Sequence, residues 1–115
     1  MDLPLVMAYG TRELGAVADP TRLAIIERLR RRPMTVGELA ERLPVTRPAV
    51  SQHLKILRQA RIVMETRTGT RHIFNLNPEG LLELRAYIDE IWQDALASIS
   101  RYIAKQNRQR RKLRK

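Results

Sequence analysis

Read in order, these 115 residues predict a mainly α fold with a small β-hairpin: helical segments, a two-stranded excursion, then one long helix. Three observations carry that expectation. Helix-start signals precede short apolar-periodic runs at Asp19-Pro20, at Thr35 with Glu38, and at Thr46. Between residues 62 and 76 the spacing turns extended on either side of Thr68-Gly69-Thr70. After Asn77-Pro78, apolar steps of three and four return and persist for several turns.

The first helix is expected from Leu3 to Gly15, with Leu3, Val6, Met7 and Leu14 as its apolar positions. It is short and weakened by Gly10, so it needs packing partners to be stable. The second runs from Pro20 to about Arg31, burying Leu23, Ile26 and Leu29 with Ile25 nearby. Arg30, Arg31 and Arg32 follow at the end where the helix dipole favours cations, and Pro33 stops it. The third begins at the Thr35–Glu38 capping box and reaches about Leu43, with Val36, Leu39, Ala40 and Leu43 apolar. Leu43-Pro44-Val45 breaks the chain before Thr46. Two short helices joined by a tight turn form a helix-turn-helix, the second helix in the reading position.

That second helix, residues 46–59, organises the chain. Thr46 is its N-cap, and Pro48 is tolerated in the first turn, where its missing N–H would have no partner. At about 100° per residue, Ala49, Val50, Leu54 and Leu57 form the packing stripe. The opposite face holds Pro48, Gln52, Lys55 and Gln59, flanked by Ser51 and Ile56, and carries no acid. Short polar groups beside a cation suit a major groove, where amides and hydroxyls read base edges and cations hold phosphates.

In the hairpin, Ile62 and Met64 are expected on the buried face with Phe74 and Leu76. Arg67, Thr68, Gly69, Thr70 and Arg71 form its tip, suited to a phosphate backbone or a minor groove. Helices, helix-turn-helix, hairpin and long helix in that order make a winged helix-turn-helix. The last helix, about 78–104, shows an apolar stripe of Leu84, Ile88, Ile91, Ala95, Ile99 and Tyr102, widened by Trp92. A domain this small has little surface to cover so long a stripe. The expected cover is the same helix of a second copy, together with the first helix at about 3–15. Residues 1–104 are thus expected as one domain with two dimerisation helices, and 105–115 as a basic, solvated, frayed tail, the alternative being extra, sequence-independent phosphate binding.

Charge is unevenly spread. Residues 28–71 set eleven Lys/Arg against three acids, net +8, and 105–115 add seven cations with no acid, while 1–27 and 72–104 are net −2 and −3. A basic block around the reading helix is the footprint of a polyanion binder. Cysteine is absent, which excludes disulfides, thiol nucleophiles and thiolate metal sites. No apolar run approaches the roughly 20 residues of a membrane span, so no membrane partner is expected and the cytoplasm is the default. Ser51 and His53 are too close on one helix to face each other as a catalytic pair, and no glycine-rich phosphate loop is present. No enzyme is therefore expected. The sparse aromatics offer no stacking platform for RNA.

Three segments and the wing carry a resemblance. They are Asp19-Pro20-Thr21-Arg22-Leu23-Ala24-Ile25-Ile26, Thr35-Val36-Gly37-Glu38-Leu39-Ala40, and Pro48-Ala49-Val50-Ser51-Gln52-His53-Leu54-Lys55-Ile56-Leu57, followed by Arg67 to Arg71. In order and spacing they resemble the ArsR/SmtB family of bacterial transcriptional repressors. The resemblance implies a homodimer on a palindromic operator in double-stranded DNA, with helix 46–59 in the major groove and the wing alongside. By position it implies DNA contacts at Arg47, Ser51, Gln52 and Lys55, with His53 a contact or a packed neutral histidine. The alternative is a winged-helix protein-interaction module; an acidic or apolar face at Gln52 and Lys55 would support it, and this face is neither. The family's metal sensors carry a Cys-x-Cys in the helix that here reads Val36-Gly37-Glu38-Leu39-Ala40, or His and Asp pairs on the last helix. Here Asp89 and Asp94 stand without histidine. The chain thus resembles a metal-independent branch with no cofactor and no inferable effector. Arg61 stands where the family often has a helix-ending glycine, so either a left-handed arginine costs about 1 kcal/mol there or the helix ends differently.

Overall fold

The computed structural model describes residues 10–113. Its elements are α1 (Thr11–Val17), α2 (Pro20–Leu29), α3 (Val36–Arg42), α4 (Arg47–Gln59), β1 (Val63–Thr68), β2 (Arg71–Leu76) and α5 (Pro78–Leu113). This is the expected winged helix-turn-helix. Each anticipated cap is made. Asp19 Oδ2 accepts from Arg22 N at 2.9 Å, and Thr46 Oγ1 accepts from Ala49 N at 3.3 Å. Thr35 and Glu38 exchange hydrogen bonds at 3.2 Å each way. Such caps satisfy N–H groups that the first helical turn leaves without partners.

The core lies where α2, α3 and α4 meet the hairpin: Ile25, Ile26, Leu29, Leu39, Val50, Leu54, Leu57, Ile62, Val63 and Phe74 are all buried. Met34, between α2 and α3, pairs its backbone with Phe74 (N–H to O 3.2 Å and 2.8 Å), fastening the hairpin to the helix-turn-helix.

Several expectations are corrected. Gly10 adopts φ 85° as N-cap of α1, so among the described residues the first helix begins at Thr11, does not run through Gly10, and ends at Val17. A Cβ at Gly10 would lie 2.3 Å from Tyr87 Cβ on α5, so close helix approach as well as dihedral angle requires glycine. Leu3, Val6 and Met7 lie outside the described residues. Leu23 is 48% exposed, because the buried face of α2 centres on Ile25, Ile26 and Leu29, roughly 110° away round the helix. In the hairpin the buried face is shifted by one residue. Ile62 is buried, but in the link before β1, and Met64 points outward; Val63 pairs with Leu76 and Glu65 with Phe74 on the inner face. A one-residue offset exchanges the two faces of a strand.

Arg61 is left-handed, φ 63°. Its carbonyl oxygen would sit 1.7 Å from a Cβ at Gly80, and its guanidinium bonds Glu79 and Glu83 at 3.0 and 2.6 Å. The strain at Arg61 therefore serves to dock the start of α5 under the end of α4.

α5 has 36 residues and, at about 1.5 Å per residue, spans about 54 Å. It passes residue 104 without a break, so residues 105–113 are helical and not frayed. Lys, Arg and Gln are good helix formers, and cations suit a helix C-terminus. The radius of gyration is 20.8 Å, where a compact chain of this length would give about 13 Å; α5 projects as an arm.

Candidate nucleic-acid interface

Pro48, Ser51, Gln52, Lys55 and Gln59 are exposed together on α4, with Arg47 at its first turn. The caps at Thr35 and Thr46 fix the two helices of the reading unit, and Val50, Leu54 and Leu57 fix the roll of α4 by their complete burial. Among the described residues Ser51, Gln52 and Lys55 make no side-chain hydrogen bond or ion pair. Arg47 lies over the start of α3, its Nη2 2.8 Å from where a Cβ on Gly37 would be. Gly37 leaves the guanidinium room.

His53 is turned away from this face. Its Nδ1 lies 3.4 Å from Arg22 Nη1 and 3.8 Å from Asp19 Oδ2, half-buried against the start of α2. Arg22 in turn donates Nε–H to Ala16 O at 2.7 Å. The group links α4 to α2 and α1.

The wing tip, Arg67 to Arg71, is exposed throughout, and Gly69 at φ 62° supplies the left-handed residue of its two-residue loop. Two carboxylates tie the wing to the reading unit. Glu65 on β1 accepts from Arg58 of α4 and sits against His72 Nδ1 of β2. Glu38 of α3 accepts from Arg32 at 2.6 Å and lies 3.5 Å from Arg71 Nη2. Both are held below the usual carboxylate range, Glu38 chiefly by the Arg32 hydrogen bond and Glu65 chiefly by His72. Asp19 is lowered too, chiefly by the Arg22 backbone N–H.

These ties were invisible in the sequence, because each joins different segments of the fold and follows no helical or strand spacing. Their effect is chemical. The acids nearest the interface are already engaged by cations, so they present little free negative charge to a polyanion. Among the described residues no three of His, Cys, Asp or Glu are grouped to hold a metal ion, and no helix is long and apolar enough to cross a membrane.

Residues 19–65 match the profile of the bacterial regulatory proteins of the arsR family, from the cap of α2 into β1. The HTH-type transcriptional regulator Rv2034 of Mycobacterium tuberculosis is 52% identical over 92 residues, 80% of this chain and 86% of that one. The chain belongs to the ArsR family. The transcriptional repressor SdpR of Bacillus subtilis is 39% identical over 62 residues, 54% of this chain and 69% of its own. A crystal structure of a possible transcriptional regulator for arsenical resistance superposes with a TM-score of 0.66 at 36% identity, covering 76% of this chain and 94% of that one. This ArsR-family protein is a DNA-binding transcriptional regulator.

Proposed function

We propose that the protein is a cytoplasmic homodimeric repressor reading a palindromic operator. α4 of each copy enters the major groove, and the wing tip lies along the adjacent backbone. Gln52 and Ser51 read base edges; Arg47, Lys55, Arg67 and Arg71 hold phosphates, helped by Thr68 and Thr70, with Pro48 in van der Waals contact. His53 is assigned to orienting α4. The observation that carries the reading is the acid-free outer face of α4 beside a wing whose nearby carboxylates are already bound by arginine and histidine. Dimerisation is supported by the exposure of Ile88, Ile91, Trp92, Leu96, Ile99 and Tyr102, 41–64%, in a single chain. With Leu84 and Ala95 they form a seam. A pair so joined would set two reading helices about one DNA turn apart, roughly 34 Å, and occupy a promoter.

The test is a footprint on the DNA just upstream of the protein's own coding sequence, with and without metal salts. Protection of two half-sites one turn apart, unchanged by metal, is expected. Replacing Ile91 and Ile99 together by Asp should leave a folded monomer with no two-site footprint. An intact dimer with full binding would refute the seam.

A further inference from the structure

The basic end of α5 lies outside the matched family profile, and its distribution of charge singles out one occupant. At about 100° per residue, Glu79, Glu83, Glu90 and Asp94 fall on one shoulder of the helix. Arg101, Lys105, Arg108 and Lys112 continue the same shoulder, the eight spanning an arc of roughly 80°. That shoulder lies roughly 120° round from the apolar stripe, so a seam built on the stripe leaves it free. Its first half is acidic and its second half basic. Like charges stand at i, i+4 four times along it: 79 with 83, 90 with 94, 101 with 105, and 108 with 112. A lone helix is weakened by such pairs. Among the described residues Glu90, Asp94, Arg101, Lys105, Arg108 and Lys112 have no ion-pair partner, while Glu79 and Glu83 hold Arg61.

We infer that the basic end of α5 is an ionic clasp for a second copy of this chain: Arg101 and Lys105 of one α5 pair with Asp94 and Glu90 of the other, running antiparallel. This rests on the homodimer reading above. In an antiparallel pair related by a two-fold axis, the same shoulder of both helices lies on one side, and opposite halves meet. In a parallel pair the two shoulders lie on opposite sides and never meet. The register that sets Asp94 opposite Arg101 also sets Glu90 opposite Lys105 and Glu83 opposite Lys112. Along the stripe it sets Leu96 opposite Ile99 and Trp92 opposite Ile103. Its centre falls between Ala97 and Ser98, with Ala95 of the stripe alongside. That register brings opposite charges of the shoulder and apolar residues of the stripe to the same levels, and sets Arg85 opposite Arg110 at their far edge. The clasp makes self-association sensitive to salt and selective for chains carrying the same charge order.

The experiment uses the full-length protein in sedimentation velocity at low and high salt, with circular dichroism to check folding. R101E/K105E and E90K/D94K should each weaken the dimer by about tenfold or more at low salt, because all four contacts become repulsive. E90K/D94K/R101E/K105E in one chain should restore it, since the antiparallel pairs are then merely exchanged. As an independent measurement, the absence of native cysteine allows a clean crosslink. Equimolar D94C and R101C should be joined into a mixed dimer by a short bis-maleimide linker more readily than either variant alone. Wild type that dimerises while both half-reversals dimerise equally well overturns the clasp and leaves the apolar seam standing. Wild type that is monomeric at all concentrations overturns both. R101E/K105E that dimerises normally but binds DNA more weakly would show that the basic end grips phosphate, and would also overturn the clasp.

Discussion

The reading unit, residues 19–76, and the distal part of α5, from Ile88 onward, use their apolar residues in opposite ways. In the first, Ile25, Leu39, Leu54, Leu57 and Ile62 are within 1% of complete burial, and every helix start is capped. In the second, Trp92 is 60% exposed and Tyr102 64%. A side chain like Leu54 contributes about 1.5–3 kcal/mol to the stability of its own chain by leaving water. Ile99, more than half exposed, contributes little until something covers it. One region therefore folds the protomer, and the other adds little to the stability of a single chain.

The largest expected effect tests that division directly. Leu54→Ala should destabilise the protomer by about 2–5 kcal/mol through lost transfer energy and a cavity. Ile99→Ala should change unfolding of dilute protein by less than about 0.5 kcal/mol while weakening the dimer. Urea unfolding at two protein concentrations separates these outcomes; equal losses at low concentration would erase the distinction. Gln52→Ala should leave stability unchanged and cost about 1–3 kcal/mol of binding to the cognate site, with relaxed preference at one base pair. Equal operator binding by this variant and wild type would show that α4 presents another face. Arg71→Ala should weaken binding similarly on all sequences and lower the salt slope by about one unit, read from titrations at several salt concentrations. Its 3.5 Å approach to Glu38 is the competing contact.

The smallest expected effect is in pH. Asp19, Glu38 and Glu65 titrate below their ordinary values, so the unfolded chain binds protons more readily than the folded one does. Their contribution is fully present above the ordinary carboxylate range near 4, and is lost as pH falls through the lowered folded values. All three lie in or beside the reading unit. Unfolding midpoints measured from pH 6 to pH 3 should fall, less steeply in Glu65→Gln.

Most of the site was legible because its signals are local. Proline and cap residues at Asp19, Thr35 and Thr46 act within one turn, and the apolar stripe of α4 leaves only one face for Gln52 and Lys55. Strand facing was less legible. Ile62 and Val63 are both apolar and both buried, so alternation alone could not say which began the strand. His53, ambiguous on the helical wheel, lies against Asp19 and Arg22, which reach it from another helix.

By itself, then, the sequence determined the order of elements, the helix starts and the outward face of α4, because spacing and capping act over three or four residues. Tertiary structure decided what depends on distant partners. It turned Met64 out and Glu65 in by giving Glu65 the company of Arg58 and His72. It placed left-handed Arg61 against Gly80, where no side chain fits, and thereby set the departure of α5. And among the described residues it left much of the α5 stripe exposed, since the core is built where α2, α3 and α4 meet the hairpin.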